Sequence, residues 1–389
     1  MISMKILYIN RKFRIFLALL ILCTCVATGV QAGGAYEFVL EWGTEGAGDG
    51  QFHRPWGIEI DEAGNFYVTD RSNHRIQMFD GDGTFIRNWG AEGDGDGQFN
   101  EPRSIAVDTG GNVYVTDYRN HRVQVFCNTG TFIRTWGVEG TGDGEFNSPT
   151  GIAVDGNGNV YVADTSNNRI QKFDAEGNYI TEWGSSGSGD GQLRGPHGIA
   201  VDGDGNVYIV DWGNQRIQVF SSTGTFIRTW GAKGTGDGEF NYPIGIAVDG
   251  SGNVFVVDWA NDRIQVFKST GTFITTWGSK GTGDGQFIQP EAVCVDDDGN
   301  VYVADYWNHR IQKFAPIGSI SPAVTFTAVQ NRGKAPFTVR FLDQSPALVR
   351  EWKWSYTNGN GWVEFSNIKI PGVYVYRSRD IFHPAHRDE

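Results

Sequence analysis

Short apolar runs separated by turn residues recur along the chain, and residues 151–183 show the pattern clearly. They contain four such runs, Gly151–Asp155, Asn159–Asp164, Arg169–Phe173 and Asn178–Trp183. Val, Ile, Tyr and Phe dominate the runs, and Gly, Asn and Asp lie between them, which is typical of strands joined by tight turns. The first two runs are almost continuously apolar, as in strands covered on both faces, whereas the fourth alternates apolar and polar residues. The pattern predicts four strands, the fourth being nearest to solvent.

The four-run pattern occurs six times. An aspartate that ends the second run recurs at a constant interval, at Asp70, Asp117, Asp164, Asp211, Asp258 and Asp305. A tryptophan that ends the fourth run recurs at the same interval, at Trp42, Trp89, Trp136, Trp183, Trp230 and Trp277. Four strands in each of six units predict an all-β fold, a six-bladed β-propeller, because a ring of twisted sheets protects most strand edges.

The two ends of the repeat region complement each other. The region begins with a fourth strand, Tyr36–Trp42, that has no first three strands before it. It ends after a third strand, Arg310–Phe314, with no fourth strand following. A linear solenoid would need capping units at both ends, whereas a ring needs only the missing strand. We therefore predict that the N-terminal strand completes the last blade and closes a propeller spanning residues 36–317.

The repeat, GDGQFNxPxGIAVDxxGNVYVxDxxNxRIQxF in outline, resembles the NHL repeat family in all six units. The resemblance implies the propeller fold. It leaves the activity open, because related propellers serve as interaction platforms, lyases and hydrolases.

The N-terminal segment, residues 1–32, differs in composition from the repeats. A basic start that includes Arg11, Lys12 and Arg14 precedes the apolar run Ile15–Val30. This order is typical of a secretory signal peptide, which we favour, and the alternative is an uncleaved membrane anchor. Either one places the protein outside the cytoplasm, secreted or at the cell surface, and in contact with a membrane only through this segment if it stays uncleaved.

Residues 321–389 resemble part of a PKD domain, an immunoglobulin-like β-sandwich of cell-surface proteins. The resemblance rests on Pro322–Ser345, on Glu351–Gly359 with its Trp-Lys-Trp motif, and on Pro371–Asp380. It implies a short, incomplete β-sandwich after the propeller.

Composition argues against one class of partner, nucleic acid, and against stabilisation by a disulfide. The formal net charge of −13 argues against a nucleic-acid partner, because binding to phosphate backbones depends on Lys and Arg. Cys127 and Cys294, the two cysteines beyond residue 32, occupy different positions of different repeats, which argues against a disulfide between them. Packing must therefore hold the fold together.

Residues kept in every copy are expected to serve the blade. Asp164, Asn167 and Arg169 recur in all six units as D-x-x-N-x-R, and we interpret them as a tight turn held by an Arg–Asp pair. The Gly142-Asp143-Gly144 loop and its counterparts are interpreted in the same way. An alternative is that these acidic loops bind Ca²⁺, although each supplies only one carboxylate.

Residues that change from copy to copy are candidates for ligand contact. The first variable position follows the blade-linking proline and is predicted to ring the mouth of the central channel, with Trp56, Arg103, Thr150, His197, Ile244 and Glu291. The second follows the kept aspartate and is predicted to form a ring of loops on the same face, with Arg71, Tyr118, Thr165, Trp212, Trp259 and Tyr306, and Trp307 beside the last. We call this surface the mouth face. Of the 13 tryptophans, the four outside the repeated set and the tail, Trp56, Trp212, Trp259 and Trp307, map to it.

Aromatic residues beside Arg, His and Glu favour a binding platform that takes a protein or carbohydrate ligand at the cell surface. The competing interpretation is that large residues only fill the top of the channel. An enzyme is the less favoured class, a metal-dependent lyase or lactonase with Zn²⁺ or Ca²⁺ in the channel. A metal needs several His or carboxylate ligands, and of these residue types only His197 and Glu291 are predicted to approach the channel. A third alternative is a structural surface-layer or spacer protein.

Overall fold

A computed structural model describes residues 36–317 and four short strands of the C-terminal segment. Those strands are Phe326–Thr327, Arg340–Phe341, Lys353–Thr357 and Trp362–Ser366, which pair antiparallel as first with second and third with fourth. The signal peptide or anchor predicted for residues 1–32 lies outside the described residues, as does most of the predicted β-sandwich, so both stay predictions. In the described part no helix is long and apolar enough to cross a membrane.

The propeller contains twenty-four strands and one short 3-10 turn in each blade. The strands are β1 (Tyr36–Trp42), β2 (Pro55–Ile60), β3 (Phe66–Asp70), β4 (Arg75–Phe79), β5 (Phe85–Trp89), β6 (Pro102–Val107), β7 (Val113–Asp117), β8 (Arg122–Phe126), β9 (Phe132–Trp136), β10 (Pro149–Val154), β11 (Val160–Asp164), β12 (Arg169–Phe173), β13 (Tyr179–Trp183), β14 (Pro196–Val201), β15 (Val207–Asp211), β16 (Arg216–Phe220), β17 (Phe226–Trp230), β18 (Pro243–Val248), β19 (Asn253–Asp258), β20 (Arg263–Lys268), β21 (Phe273–Trp277), β22 (Pro290–Val295), β23 (Val301–Asp305) and β24 (Arg310–Pro316). The 3-10 turns join the second and third strands of each blade, at Arg71–Asn73, Tyr118–Asn120, Thr165–Asn167, Trp212–Asn214, Trp259–Asn261 and Tyr306–Asn308. The first five blades are consecutive four-stranded antiparallel sheets, and the all-β six-bladed prediction is confirmed.

The sixth blade is completed by the N-terminal strand, as predicted. Its sheet order is β1-β24-β23-β22, and β1 pairs antiparallel with β24, with Phe38 opposite Phe314 and Trp42 opposite Ile311. The Tyr36 ring also stacks on that of Trp277 in blade five, with centroids 4.6 Å apart. β1 therefore fastens the last blade to the chain start and contacts the neighbouring blade.

Six apolar clusters lie between adjacent blades, one at each junction of the ring. At the junction of blades six and one, for example, Phe52, Phe66 and Phe79 pack with Tyr302 and Ile311. The second strand of every blade is buried along its length, because both of its faces contact neighbouring blades. The continuous apolar runs of the sequence are thus explained by burial between blades.

The kept polar residues form one hydrogen-bond network in each blade. The Asp164 carboxylate is fully buried and accepts hydrogen bonds from the backbone N–H of Asn147 at 2.7 Å, from Asn167 at 2.9 Å and from Arg169 Nε at 2.7 Å. Arg169 Nη2 donates onward to the carbonyl of Gly142 at 2.7 Å. The network ties the turn after the second strand to the Gly-Asp-Gly loop, and it repeats in the other five blades, which fits the structural interpretation.

Small residues let the first strands of neighbouring blades approach each other around the channel. A Cβ added to Gly151 would lie 2.0 Å from the backbone carbonyl oxygen of His197, and one added to Gly57, Gly198 or Gly245 would lie 2.5 Å from the equivalent oxygen of the next blade. These glycines are needed for close approach of the backbone.

Replacing Gly151 with alanine should lower the free energy of unfolding by about 1–3 kcal/mol, because two blades must separate to admit the methyl group. Gly156→Ala is the matched control, since no atom lies within 4 Å of its added Cβ. Chemical denaturation of the two variants would measure the difference. Equal stability of the two variants would contradict the close-approach role.

Candidate ligand site at the channel mouth

The two variable positions lie at the start of the first strand and at the start of the 3-10 turn of each blade. Both therefore fall on one face of the ring, as the alternation of strand direction predicts. A central channel, lined by the first strands of all six blades, reaches this face. Five of the six predicted channel-mouth residues line it, namely Trp56, Thr150, His197, Ile244 and Glu291. Arg103 does not line it and lies instead over the rings of Trp56 and Tyr118.

Arginine side chains stack on aromatic rings in the sector formed by blades six, one and two. The Cζ of Arg103 lies 3.4 Å from the Tyr118 ring centroid and 4.4 Å from that of Trp56. The Cζ of Arg71 lies 5.0 Å from the Trp56 centroid, and this arginine also donates a hydrogen bond to the Tyr306 hydroxyl. Guanidinium groups are attracted to aromatic faces, so the stacking fixes these cations at the rim.

Two of the arginines in this sector share one carboxylate. Glu101 accepts a hydrogen bond from Arg71 at 2.6 Å and pairs with Arg119 at 3.0 Å. Partial burial opposes ionisation of Glu101, but the two guanidinium groups outweigh it and lower the pKa of this carboxyl. Arg54 extends the sector outward, with its Cζ 4.3 Å from the ring centroid of Trp307. Trp307 is 41% exposed.

The remaining blades contribute a more apolar sector. The Trp212 ring lies between those of His197 and Tyr242, with centroid distances of 5.6 and 4.8 Å. Trp259 donates its indole N–H to Glu291 at 3.0 Å. In blade three the Thr150 and Thr165 hydroxyls share a hydrogen bond of 2.6 Å. The mouth face therefore has a side rich in arginine and a more apolar, aromatic side.

Burial controls the charges that face the channel. It raises the pKa of Glu291 to about 8, although the Trp259 hydrogen bond and the Arg103 and Arg71 charges act in the opposite direction. It also lowers the pKa of His197 to about 3, with the charge of Arg103 acting in the same direction. The pKa of Arg103 is lowered to about 10, so this group stays positive at neutral pH. At pH 7 His197 is therefore uncharged, and Glu291 is largely in its neutral form.

Three histidines have a role in joining blades. His74, His121 and His309 each accept a hydrogen bond at Nδ1 from a backbone N–H of the next blade, at 3.1–3.2 Å. In the other units Asn168, Gln215 and Asp262 accept the equivalent bond through a side-chain oxygen. The side chain that precedes the kept arginine of each repeat therefore hydrogen-bonds to the next blade at this face.

Sequence comparison between the repeats missed the residue that precedes each linking proline. Arg54, Glu101 and Tyr242 occupy this position and contribute to the site, and each has a positive φ of 55–64°. The position varies from copy to copy, as the two chosen positions do, so the same criterion would have found it. Its side chains reach the mouth only because the linking loop folds back over the preceding blade.

The described residues contain no group of three or more His, Cys, Asp or Glu side chains arranged to hold a metal ion. The Gly-Asp-Gly loops use backbone groups to hold the blade, since Gly144 N–H donates to Gln171 and the carbonyl oxygen of Gly142 accepts from Arg169. Neither observation favours the Ca²⁺ or the Zn²⁺ hypothesis.

Comparison with known families identifies the repeat. The NHL repeat pattern matches six segments, residues 52–79, 99–126, 146–173, 193–220, 240–267 and 287–314. Residues 36–317 are an NHL-repeat β-propeller. NHL propellers act in general as platforms that bind other molecules, proteins among them.

Sequence relatives match this NHL propeller only over short segments. The chain is 56% identical to protein lin-41 of Caenorhabditis elegans over 45 residues, which are 12% of this chain and 4% of lin-41. It is 54% identical to the E3 ubiquitin-protein ligase TRIM71 of Rattus norvegicus over 41 residues, which are 10% of this chain and 5% of that protein. The matches thus span a small fraction of each relative.

Solved structures share the fold of the NHL propeller at low sequence identity. A structural genomics protein of unknown function from Bacteroides thetaiotaomicron is 20% identical, with a TM-score of 0.58 over 72% of this chain and 75% of the other. Virginiamycin B lyase from Staphylococcus aureus is 14% identical, with a TM-score of 0.52 over 72% of this chain and all of the other. These similarities concern the fold alone.

Proposed function

We propose that this protein is an extracytoplasmic binding platform whose mouth face takes a protein or glycan ligand. One observation carries the proposal. The four tryptophans of the propeller that lie outside the repeated set gather on one face, beside arginines stacked on aromatic rings. Tryptophan and arginine are frequent anchors of interfaces, and aromatic faces also pack against sugar rings.

The alternatives make different demands on the same face. A lyase or lactonase that depends on a metal needs several His or carboxylate ligands converging in the channel, and the described residues offer no such group. A surface-layer or spacer protein needs no saturable ligand. A binding platform needs partly exposed aromatic groups, which Trp212, Trp259 and Trp307 supply.

Loss of two mouth tryptophans should abolish ligand binding while the propeller stays folded. The full chain would be labelled and applied to a glycan array and a displayed peptide library, and the affinity of each hit would be measured by titration. Trp212→Ala combined with Trp259→Ala should weaken binding at least about tenfold, the effect of losing an interface anchor.

The matched control replaces two apolar residues exposed on fourth strands, Ile180→Ala with Ile227→Ala. These side chains are 47% and 39% exposed and lie away from the mouth. Thermal melting of each variant would verify folding. Binding that survives the tryptophan substitutions, or that both double variants lose equally, would refute the site, and the absence of any saturable ligand would favour the spacer alternative.

A further inference from the structure

Apart from the repeated tryptophans, the buried polar atoms of the described residues that lack a hydrogen-bond partner all lie at the mouth. In the described part of the chain, ten buried side-chain N or O atoms have no partner. Six are the indole nitrogens of the repeated tryptophans. The other four are Nε of Arg54, Arg71 and Arg103, and Oε2 of Glu291, and all four belong to the site described above. Buried polar groups are normally paired, so such a concentration indicates that something else satisfies them.

Two arginines of this site, Arg103 and Arg54, have no carboxylate of the described residues within ion-pair distance, whereas Arg71 and Arg119 share the single carboxylate of Glu101. Of the two, Arg103 lies nearer to the channel, over the rings of Trp56 and Tyr118. Its guanidinium is held between Tyr118 and Trp56, and stacking on a ring face leaves the in-plane N–H groups free to donate. A planar group with two acceptor oxygens can form bidentate hydrogen bonds with such a guanidinium.

Glu291 lies at the same mouth, at the start of the first strand of blade six. Its side chain is only 4% exposed, it lines the channel, and one carboxyl oxygen accepts the Trp259 N–H while the other has no partner. Because burial raises its pKa to about 8, the group is largely a neutral acid at pH 7 and can donate a hydrogen bond from the free oxygen. The channel mouth therefore offers a donor at Glu291 as well as at Arg103.

The balance of charged residues at the mouth favours a negatively charged ligand. The whole chain carries a formal net charge of −13, yet Arg54, Arg71, Arg103 and Arg119 gather in one sector of its mouth, where Glu101 is the carboxylate that forms ion pairs with them. A cationic ligand would leave Arg103 unpaired and add repulsion. A singly charged anion would neutralise Arg103 without placing a second negative charge close to Glu101.

We propose that the ligand of the mouth face presents a carboxylate, which pairs with Arg103 and accepts a hydrogen bond from Glu291. This inference rests on the proposed function and specifies the ligand's chemical class. The carboxylate belongs to an acidic sugar or to a peptide, and in either case the surrounding Trp56, Trp212 and Trp259 rings contact the uncharged remainder.

Titration with small molecules tests whether the site binds a carboxylate and whether it prefers a sugar acid or a peptide acid. The full chain would be titrated by NMR, with indole N–H signals as reporters, using D-glucuronate and N-acetyl-triglycine. D-glucose and the triglycine amide are the uncharged counterparts, and inorganic phosphate is the other anion. We expect one carboxylate probe to bind with a Kd of about 1 mM, the value that a ligand efficiency of about 0.3 kcal/mol per atom gives for a sugar acid. Its uncharged counterpart should bind at least about tenfold more weakly.

Variants identify the groups responsible. Arg103→Gln should lose most of the carboxylate affinity, whereas Arg87→Gln removes the same charge from an exposed fourth-strand position and should not. Glu291→Gln keeps an N–H donor and should bind more tightly than Glu291→Leu, which has none.

Three results would overturn the inference. They are equal binding of charged and uncharged probes, tighter binding of phosphate than of either carboxylate, and an unchanged Kd in Arg103→Gln. The proposed function would survive any of them if the tryptophan double variant still lost its array ligand. Whether glucuronate or the peptide acid binds more tightly then indicates the source of the carboxylate.

Discussion

Removal of residues 33–43 is expected to lower the melting temperature of the propeller by at least about 10 °C, since a loss of roughly 5 kcal/mol in unfolding free energy shifts a domain of this size by that amount. The deletion takes away the fourth strand of blade six and leaves β24 as an unpaired edge. It also removes Tyr36, Phe38 and Trp42 from the junctions with blades five and one. These three side chains are partly buried, and complete burial of one large apolar side chain contributes about 1.5–3 kcal/mol.

Differential scanning calorimetry of two shortened chains tests this expectation. The control chain begins at residue 33 and the test chain at residue 44, so the two differ only by the closing strand and its flanks. An unchanged melting temperature would show that the ring does not depend on β1 for closure.

The Asp164→Ala substitution is expected to reduce the free energy of unfolding by about 3–5 kcal/mol, the usual consequence of removing one partner of a buried ion pair. The change removes the buried carboxylate from the Arg169 guanidinium, 7% exposed as a residue, and leaves the more exposed Glu182 as its ion-pair partner. Asn167, Gln171 and the backbone N–H of Asn147 lose the same acceptor.

Asp174→Ala is the matched control, because Asp174 also accepts hydrogen bonds within its own turn but lies near the surface between the third and fourth strands. Its loss should cost less than about 1 kcal/mol. Urea denaturation of both variants would measure the difference. Similar costs at the two positions would contradict the role assigned to the kept aspartate.

Much of the fold could be predicted from the sequence because the same four-stranded blade is repeated six times. The apolar runs, the punctuating turns and the fixed interval each constrain the blade, and the unmatched strand Tyr36–Trp42 constrains closure. The sequence pattern also located the mouth face, since loops at the same position of each repeat must share a face. Five of the six predicted residues line the channel for this reason.

The exceptions depend on contacts between blades, which no single repeat contains. The Arg103 side chain does not line the channel, because its guanidinium stacks on the rings of Trp56 and Tyr118. Trp56 belongs to the preceding blade and Tyr118 to the same blade as Arg103. The inter-blade bonds of His74, His121 and His309 also connect residues of different units. The neutral state of Glu291 follows from its burial in the assembled ring.

The pairing of β1 with β24 also affects the order in which the molecule can be assembled. Glu41 and Arg310, which hydrogen-bond across the last blade, are 269 residues apart in the chain. β1 therefore cannot pair with β24 until the last repeat has been made. Until then its aromatic side chains have no native contacts, and contacts this distant in sequence form slowly because a long loop must close first. A nascent chain of five repeats contains nearly all the strands of the propeller but lacks the β1–β24 pair that closes the ring.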